Sequence, residues 1–356
     1  MAAPYDARVR GAVRTLAGVV FLVVLAGCGG EPPPSPGAGA PPAAAGASAT
    51  ATPDGVDAWG RGTGAAPAKG PCTGLPADNV WRADVSRLPV HARSAAIVAR
   101  IGAGAGVHPD FGAGRWEGAP IGIPVTTVPA GQKKIDISFE YAGESDRGPY
   151  PVPADAKIEG GPDSDGDRHV IVWDRAACKV YELYAAYPRG GGWRAGSGAV
   201  FDLRSNKLRP AGWTSADASG LSIFAGLVRY DEVAAGRIDH AIRVTVPRTR
   251  TGYTWPATHS ASSATDGDLP QLGQRLRLKA STDTAGLPRQ ARVVAEAMKC
   301  YGVIVTDHGS AWYVSGAPDD RWDNDALRAL KDLKGTDFEV VDAAALMTSR
   351  TSAAVR

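Results

Sequence analysis

Lys134-Ile135-Asp136-Ile137-Ser138-Phe139-Glu140-Tyr141 sets an apolar side chain at every second position, with Asp136, Ser138 and Glu140 between. Successive side chains leave a strand on opposite faces, so this period of two predicts a half-buried β-strand. Further strand candidates lie at 170–173, 179–184, 199–203, 238–246, 274–280, 303–306 and 312–314, many of them bounded by turns rich in Gly, Pro and Asp. Helical spacing is confined to 92–101, 288–300 and 325–333, with Gly102, Gly302 and Gly335 placed as stops. The pattern predicts a mainly β protein: one antiparallel sandwich or jelly-roll-like domain with a few peripheral helices.

The domain is expected over 72–347, with 348–356 as a flexible tail. Upstream, Arg8, Arg10 and Arg14 precede an apolar run over 16–25, the order of a secretory leader, and the run is too short for a membrane span of about 20 residues. Leu25-Ala26-Gly27-Cys28 has the form of a bacterial lipobox, so residues 1–27 are read as a lipoprotein signal peptide and Cys28 as the lipidated first residue of the mature chain. Residues 29–71 are almost entirely Gly, Ala, Pro, Ser and Thr, a composition that buries little apolar surface and predicts a disordered tether. The expected location is the extracytoplasmic face of the cell membrane. Cleavage removes three arginines and Asp6 from a chain of formal charge +2 and leaves a neutral one, which argues against nucleic-acid partners. Cys72, Cys178 and Cys300 allow one bridge and one leftover thiol; Cys72 with either of the others would pin the start of the domain, and the sequence leaves the pairing open.

Motifs for α/β-hydrolases, P-loop NTPases, zincins and dinucleotide-binding enzymes are missing, and no cofactor is expected. Asp163, Asp165 and Asp167 alternate as calcium ligands do, but Arg168 stands where such a loop needs glycine, so no metal is assigned. Period two puts Glu182 on a face with Val180 and Tyr184, and Asp202 with Val200. If the two strands are neighbours, the carboxylates share a side of the sheet and form the pair that glycosidases use. A hairpin loop at 174–177 places His169 opposite Glu182, and a loop one residue longer turns it to the other face. His240 alternates with Ile238 and Ile242, which makes it a core histidine or a catalytic helper; His259 sits in a loop. Arg275, Arg277 and Lys279 form the polar side of a strand, suited to solvent or to an acidic sugar or phosphate. Trp193, Trp213, Trp255, Trp312 and Trp322 fall in or near loops, where flat rings either stack on sugars or cap the core. Asp231, Asp307 and Asp323 are the next candidate acids.

The stretches Gly212-Trp213-Thr214-Ser215-Ala216-Asp217-Ala218-Ser219-Gly220-Leu221, Gly226-Leu227-Val228-Arg229-Tyr230-Asp231-Glu232, 238–243 and Trp255-Pro256-Ala257 resemble a family of secreted bacterial and fungal proteins without a characterised activity. The resemblance spans most of 75–347 and implies export, not a reaction. The expectation is a surface-tethered lipoprotein that binds or hydrolyses an extracellular polysaccharide, with a non-catalytic envelope binding module or scaffold as the alternative. Catalysis is assigned to Glu182, Asp202 and His240, and substrate binding to Trp193, Trp213, Trp255, Arg275 and Arg277.

Overall fold

Val170–Asp174 and Lys179–Tyr184 form the antiparallel hairpin at the middle of the fold, and the first of them is buried along its whole length. The computed structural model describes Cys72 and residues 74–356, which fall within one compact unit. The leader, Cys28 and the tether lie outside the described residues. Among the described residues no helix is long and apolar enough to cross a membrane.

The hairpin belongs to a four-stranded sheet, in the order Ser197–Asp202, Lys179–Tyr184, Val170–Asp174, Val125–Val128. One face carries Val170, Val172, Tyr181 and Leu183 into a core with Tyr150 and Trp193, shared with a small sheet of Ile137–Phe139, Gly192–Ala195 and Tyr187–Arg189. The other face carries Ile171, Trp173 and Val180 onto Ile223, Phe224 and Leu227. A second, six-stranded sheet runs His108–Asp110, Tyr313–Ser315, Ile242–Val246, Val303–His308, Arg275–Leu278, Phe338–Val340. Helices Ser94–Gly102 and Arg289–Cys300 cover one of its faces, burying Ile97, Ile101, Val294 and Met298 against Ile242, Val244, Leu276 and Val303. On the opposite face Ile304 meets Val80, Trp81, Leu221, Ala225 and Ala353. The segment at 221–227 therefore contributes to two cores, one with each large sheet.

Local chemistry explains the boundaries. Arg289–Cys300 starts after Pro288 and ends before Gly302, which has φ +68° and lies so close to the sheet that a Cβ would come within 2.1 Å of the Leu276 carbonyl. The 134–141 alternation holds, with Ile135, Ile137 and Phe139 half-buried between exposed neighbours, although only Ile137–Phe139 is paired as strand. The strand expected from residue 238 begins at Ile242.

The mainly β expectation holds in its coarse form, but the pairing is mixed, not antiparallel. Four pairs run parallel: Val125–Val128 on Val170–Asp174, His108–Asp110 on Tyr313–Ser315, Ile242–Val246 on Val303–His308, and Ile137–Phe139 on Gly192–Ala195. In each the partners are far apart in sequence, and the long connection allows the crossover that a parallel pair needs. Residues 348–356 also differ from expectation. Val80 N–H donates to the Ala353 carbonyl at 2.7 Å, Val355 N–H to that of Asp78 at 2.8 Å, and Ala353 is buried, so this end is tied into the fold. Of the two pairings open to Cys72, the structure has Cys72–Cys178, which fastens the start of the described chain to the central hairpin loop.

Candidate functional site

Between the two large sheets, the segment from Trp213 to Leu221 folds on itself. The Ser215 hydroxyl lies 2.8 Å from the Asp217 carbonyl and 2.6 Å from that of Leu221, and it accepts from Asp217 N–H at 2.9 Å. Gly220 has φ +77°, and a Cβ there would meet Thr258 Oγ1 at 2.0 Å, so only glycine fits. This turn aims the Asp217 carboxylate at the six-stranded sheet, where Arg243 Nε donates to Asp217 Oδ2 at 2.6 Å. The guanidinium also donates to Ser315 Oγ at 2.7 Å and to Asp307 Oδ2 at 3.3 Å.

A β-bulge brings Asp307 to that position. Val244 pairs with Val305, but Thr245 pairs with Asp307, so Thr306 is skipped. Regular pairing would turn Asp307 toward the helices; the extra residue moves it to the face of Arg243. Its carboxylate also accepts from the backbone N–H groups of His308 at 2.8 Å and Ala218 at 3.3 Å. Burial, reinforced by the nearby Asp307 charge and opposed by Arg243, pushes the Asp217 carboxyl up to about 8.

Asp217 and Asp307 stand at the back of a cleft of about 450 Å³. Its wall is the backbone of 214–218, and its rim carries Tyr141, Glu144, Asp167, Tyr184 and His259. Tyr141 is 50% exposed, an aromatic face open to a ligand. His259 Nδ1–H donates to the Ala218 carbonyl at 2.8 Å, and Glu144 accepts from Thr214 N–H at 3.2 Å. Asp167 is raised from the ordinary aspartate value by desolvation first, then by Asp307 and Glu159, with His169 opposing. Behind the wall, His169 joins Glu159 through Nδ1 at 2.5 Å and the Ala216 carbonyl through Nε2 at 3.0 Å. Burial alone would lower its pKa, but the Glu159 carboxylate overrides this and raises it to about 9. A charged imidazolium thus braces the cleft wall.

The residues assigned from sequence do not converge. Glu182 pairs with Ala199, whereas Asp202 pairs with Lys179, so the two carboxylates point to opposite faces of the sheet. Glu182 is fully buried and accepts from Ser222 Oγ at 2.6 Å, Ile223 N–H at 2.9 Å and Phe224 N–H at 3.0 Å, which makes it the cap of the short turn at 222–226. Asp202 is exposed and accepts from Arg204 N–H. The hairpin loop is 175–178, so the register brings His169 toward Tyr184, still on the Glu182 face, with ring centroids 6.1 Å apart. His240 is buried, its Nδ1–H donating to the Ala241 carbonyl at 2.7 Å and its Nε2 3.2 Å from Arg229 and from Glu232. It stands apart from the cleft.

Trp193, Trp255, Trp312 and Trp322 are all buried and cap cores, and Trp213 is half-buried under the Arg209 guanidinium. Arg275 and Arg277 are not on a solvated face, because residues 80–88 cover it: Arg277 donates to the Val85 carbonyl at 2.5 Å and to Glu339 at 2.8 Å, and Arg275 to Val80 at 2.9 Å. In the acidic turn, Arg168 Nη1 donates to the carbonyls of Pro162 at 2.8 Å and Ser164 at 2.7 Å, so a guanidinium holds the loop together. Asp231 binds Arg321 at 2.9 Å, and Asp323 caps the helix Asn324–Arg328. Of the reserve acids, Asp307 alone reaches the cleft. Sequence reading missed Asp217, Arg243 and the tyrosines. The signal for Arg243 was a lone cation between Ile242 and Val244, and Asp217 lay inside the Gly212–Leu221 motif.

No family model matches the chain, and no curated protein and no solved structure matches it.

Proposed function

We propose that the chain is a surface-tethered lipoprotein that takes an extracellular glycan into this cleft and hydrolyses it. The observation that carries this reading is a pair of carboxyl groups in unlike surroundings facing one cleft. Asp307 accepts from Arg243 and two backbone N–H groups, while desolvation raises Asp167. Such a division suits a general acid at Asp167 and a base or nucleophile at Asp307. Tyr141 and Tyr184 supply aromatic faces for sugar rings. The sandwich-like layering expected for such a scaffold belongs to the same reading and is supported by the cores that the 221–227 segment forms with both large sheets. Kinship with the secreted family is supported by the 212–221 motif, which builds the cleft wall.

The test is a screen of envelope, plant and fungal polysaccharides. Turnover by the wild type should be abolished by Asp307→Asn and by Asp167→Asn, and binding should weaken in Tyr141→Ala; turnover that survives both acid substitutions discards the site. The engagement of Asp307 by three donors favours a second reading, a non-catalytic binding module, under which Tyr141→Ala weakens binding and no glycan is cleaved. Anchoring at Cys28, supported by the lipobox, predicts that Cys28→Ser releases the protein from the membrane fraction, and retained lipid labelling in that variant refutes it.

A further inference from the structure

Most buried arginines of this fold have clear counterparts. Arg209, Arg229, Arg243 and Arg277 each meet a carboxylate, and Arg168 donates to four carbonyls. Arg275 does not follow that pattern. It is 4% exposed, and its Nη2 donates to the Val80 carbonyl at 2.9 Å and the Ala83 carbonyl at 3.3 Å. Nε and Nη1 are buried, and among the described residues they have no partner and no carboxylate lies against the guanidinium. An uncompensated buried cation is costly, and the cost falls when an anion joins it.

Arg275 also lines a cavity of about 480 Å³ beneath the segments at 91–97, 250–274 and 341–350. Arg93, Arg250 and Arg350 stand around the same cavity, and among the described residues Asp342 is the one acid on its wall. Arg93 is engaged by Asp268 at 2.6 Å, and Arg250 donates to the Gln271 amide oxygen at 2.9 Å. Arg350 is exposed. Trp255 adds an apolar wall, its Nε1–H already given to the Ser352 carbonyl at 2.9 Å. The cavity thus combines net positive charge, a buried Arg275 guanidinium in its wall whose Nε and Nη1 have no partner among the described residues, and the aromatic surfaces of Tyr253 and Trp255.

We infer that this cavity is a binding site for a small ligand carrying an oxyanion group, phosphate or carboxylate, seated against Arg275 with Arg250 and Arg350 closing over it. Guanidinium geometry matches both groups through paired N–H donors. The site is separate from the acidic cleft, and its charge selects ligands of the opposite kind.

The experiment is thermal unfolding of the full chain with inorganic phosphate or D-glucuronate at about 10 mM, each compared with chloride at equal ionic strength. At least one of the two anions should raise the midpoint by several degrees beyond chloride. The double variant Arg250→Ala/Arg350→Ala, altered only at the rim, should lose most of that shift, and Arg275→Met, where it folds, should lose it entirely. A response to phosphate alone assigns a phosphate-bearing ligand, and one to glucuronate alone a carboxylate. No response beyond chloride from either anion, or a response that the rim double variant retains in full, overturns the inference.

Discussion

Arg243 and Asp217 form a buried hydrogen-bonded pair, with Nε 2.6 Å from Oδ2. Removing the cation leaves the buried Asp217 carboxyl facing the half-buried Asp307 without a counter-charge. Arg243→Met should therefore cost about 3–5 kcal/mol of stability. Asp217→Asn should cost less, because burial already favours a neutral group there. Urea unfolding of the two variants checks the order, and equal losses would refute this account of the pair.

The His169–Glu159 pair makes stability fall in alkali. His169 is raised from 6.5 to about 9, so its contribution is fully present below pH 6.5 and is lost as pH rises through 9. The loss amounts to about 3 kcal/mol at most. Urea unfolding at pH 6.5 and 9.5 should show a steeper decline in the wild type than in His169→Asn. Asp217 titrates in both proteins, so the difference between them isolates the histidine.

Glu182 and Asp202 should respond to amide substitution in opposite ways. Glu182→Gln sets an amide NH2 against three donors that now point at a carboxylate, an expected loss of about 2–4 kcal/mol. Asp202→Asn changes one exposed acceptor and should cost under about 1 kcal/mol. Comparable midpoints for the two variants would remove the capping role given to Glu182.

The Cys72–Cys178 bridge closes a sequence separation of 106 residues. Chain-entropy reasoning for a loop of that size gives about 4–5 kcal/mol. The double variant Cys72→Ser/Cys178→Ser should unfold at correspondingly lower denaturant, and the wild-type midpoint in that variant would place Cys72 outside the cooperative unit.

Strand positions were largely readable, since 179–184 and 170–173 carry their periodicity in the residues themselves. Partner and direction were not. The parity between Lys179–Tyr184 and Ser197–Asp202 depends on how the chain returns through the small hairpin at 187–195, and a one-residue difference there reverses the face of Asp202. The same limit hid Asp307, whose orientation comes from a bulge. Arg275 and Arg277 do alternate with Leu276 and Leu278 as read, but burial of their face comes from residues 80–88, nearly two hundred positions away. Asp217 and Arg243 stood in conspicuous stretches, yet nothing local to either says that they touch.

The two sides of the cleft differ in what they tolerate. Residues 214–218 continue into the segment that joins both large cores, and Ser215, Ala216 and Asp217 are each buried and bonded to groups behind them. Tyr141, Glu144, His259 and Ala261 meet the same space from loops with open surroundings. A mutant library spread over 214–218 would consist mainly of chains that do not fold. One confined to these four loop positions would keep its members soluble and sort them by ligand preference, so divergence among descendants of this scaffold should accumulate there.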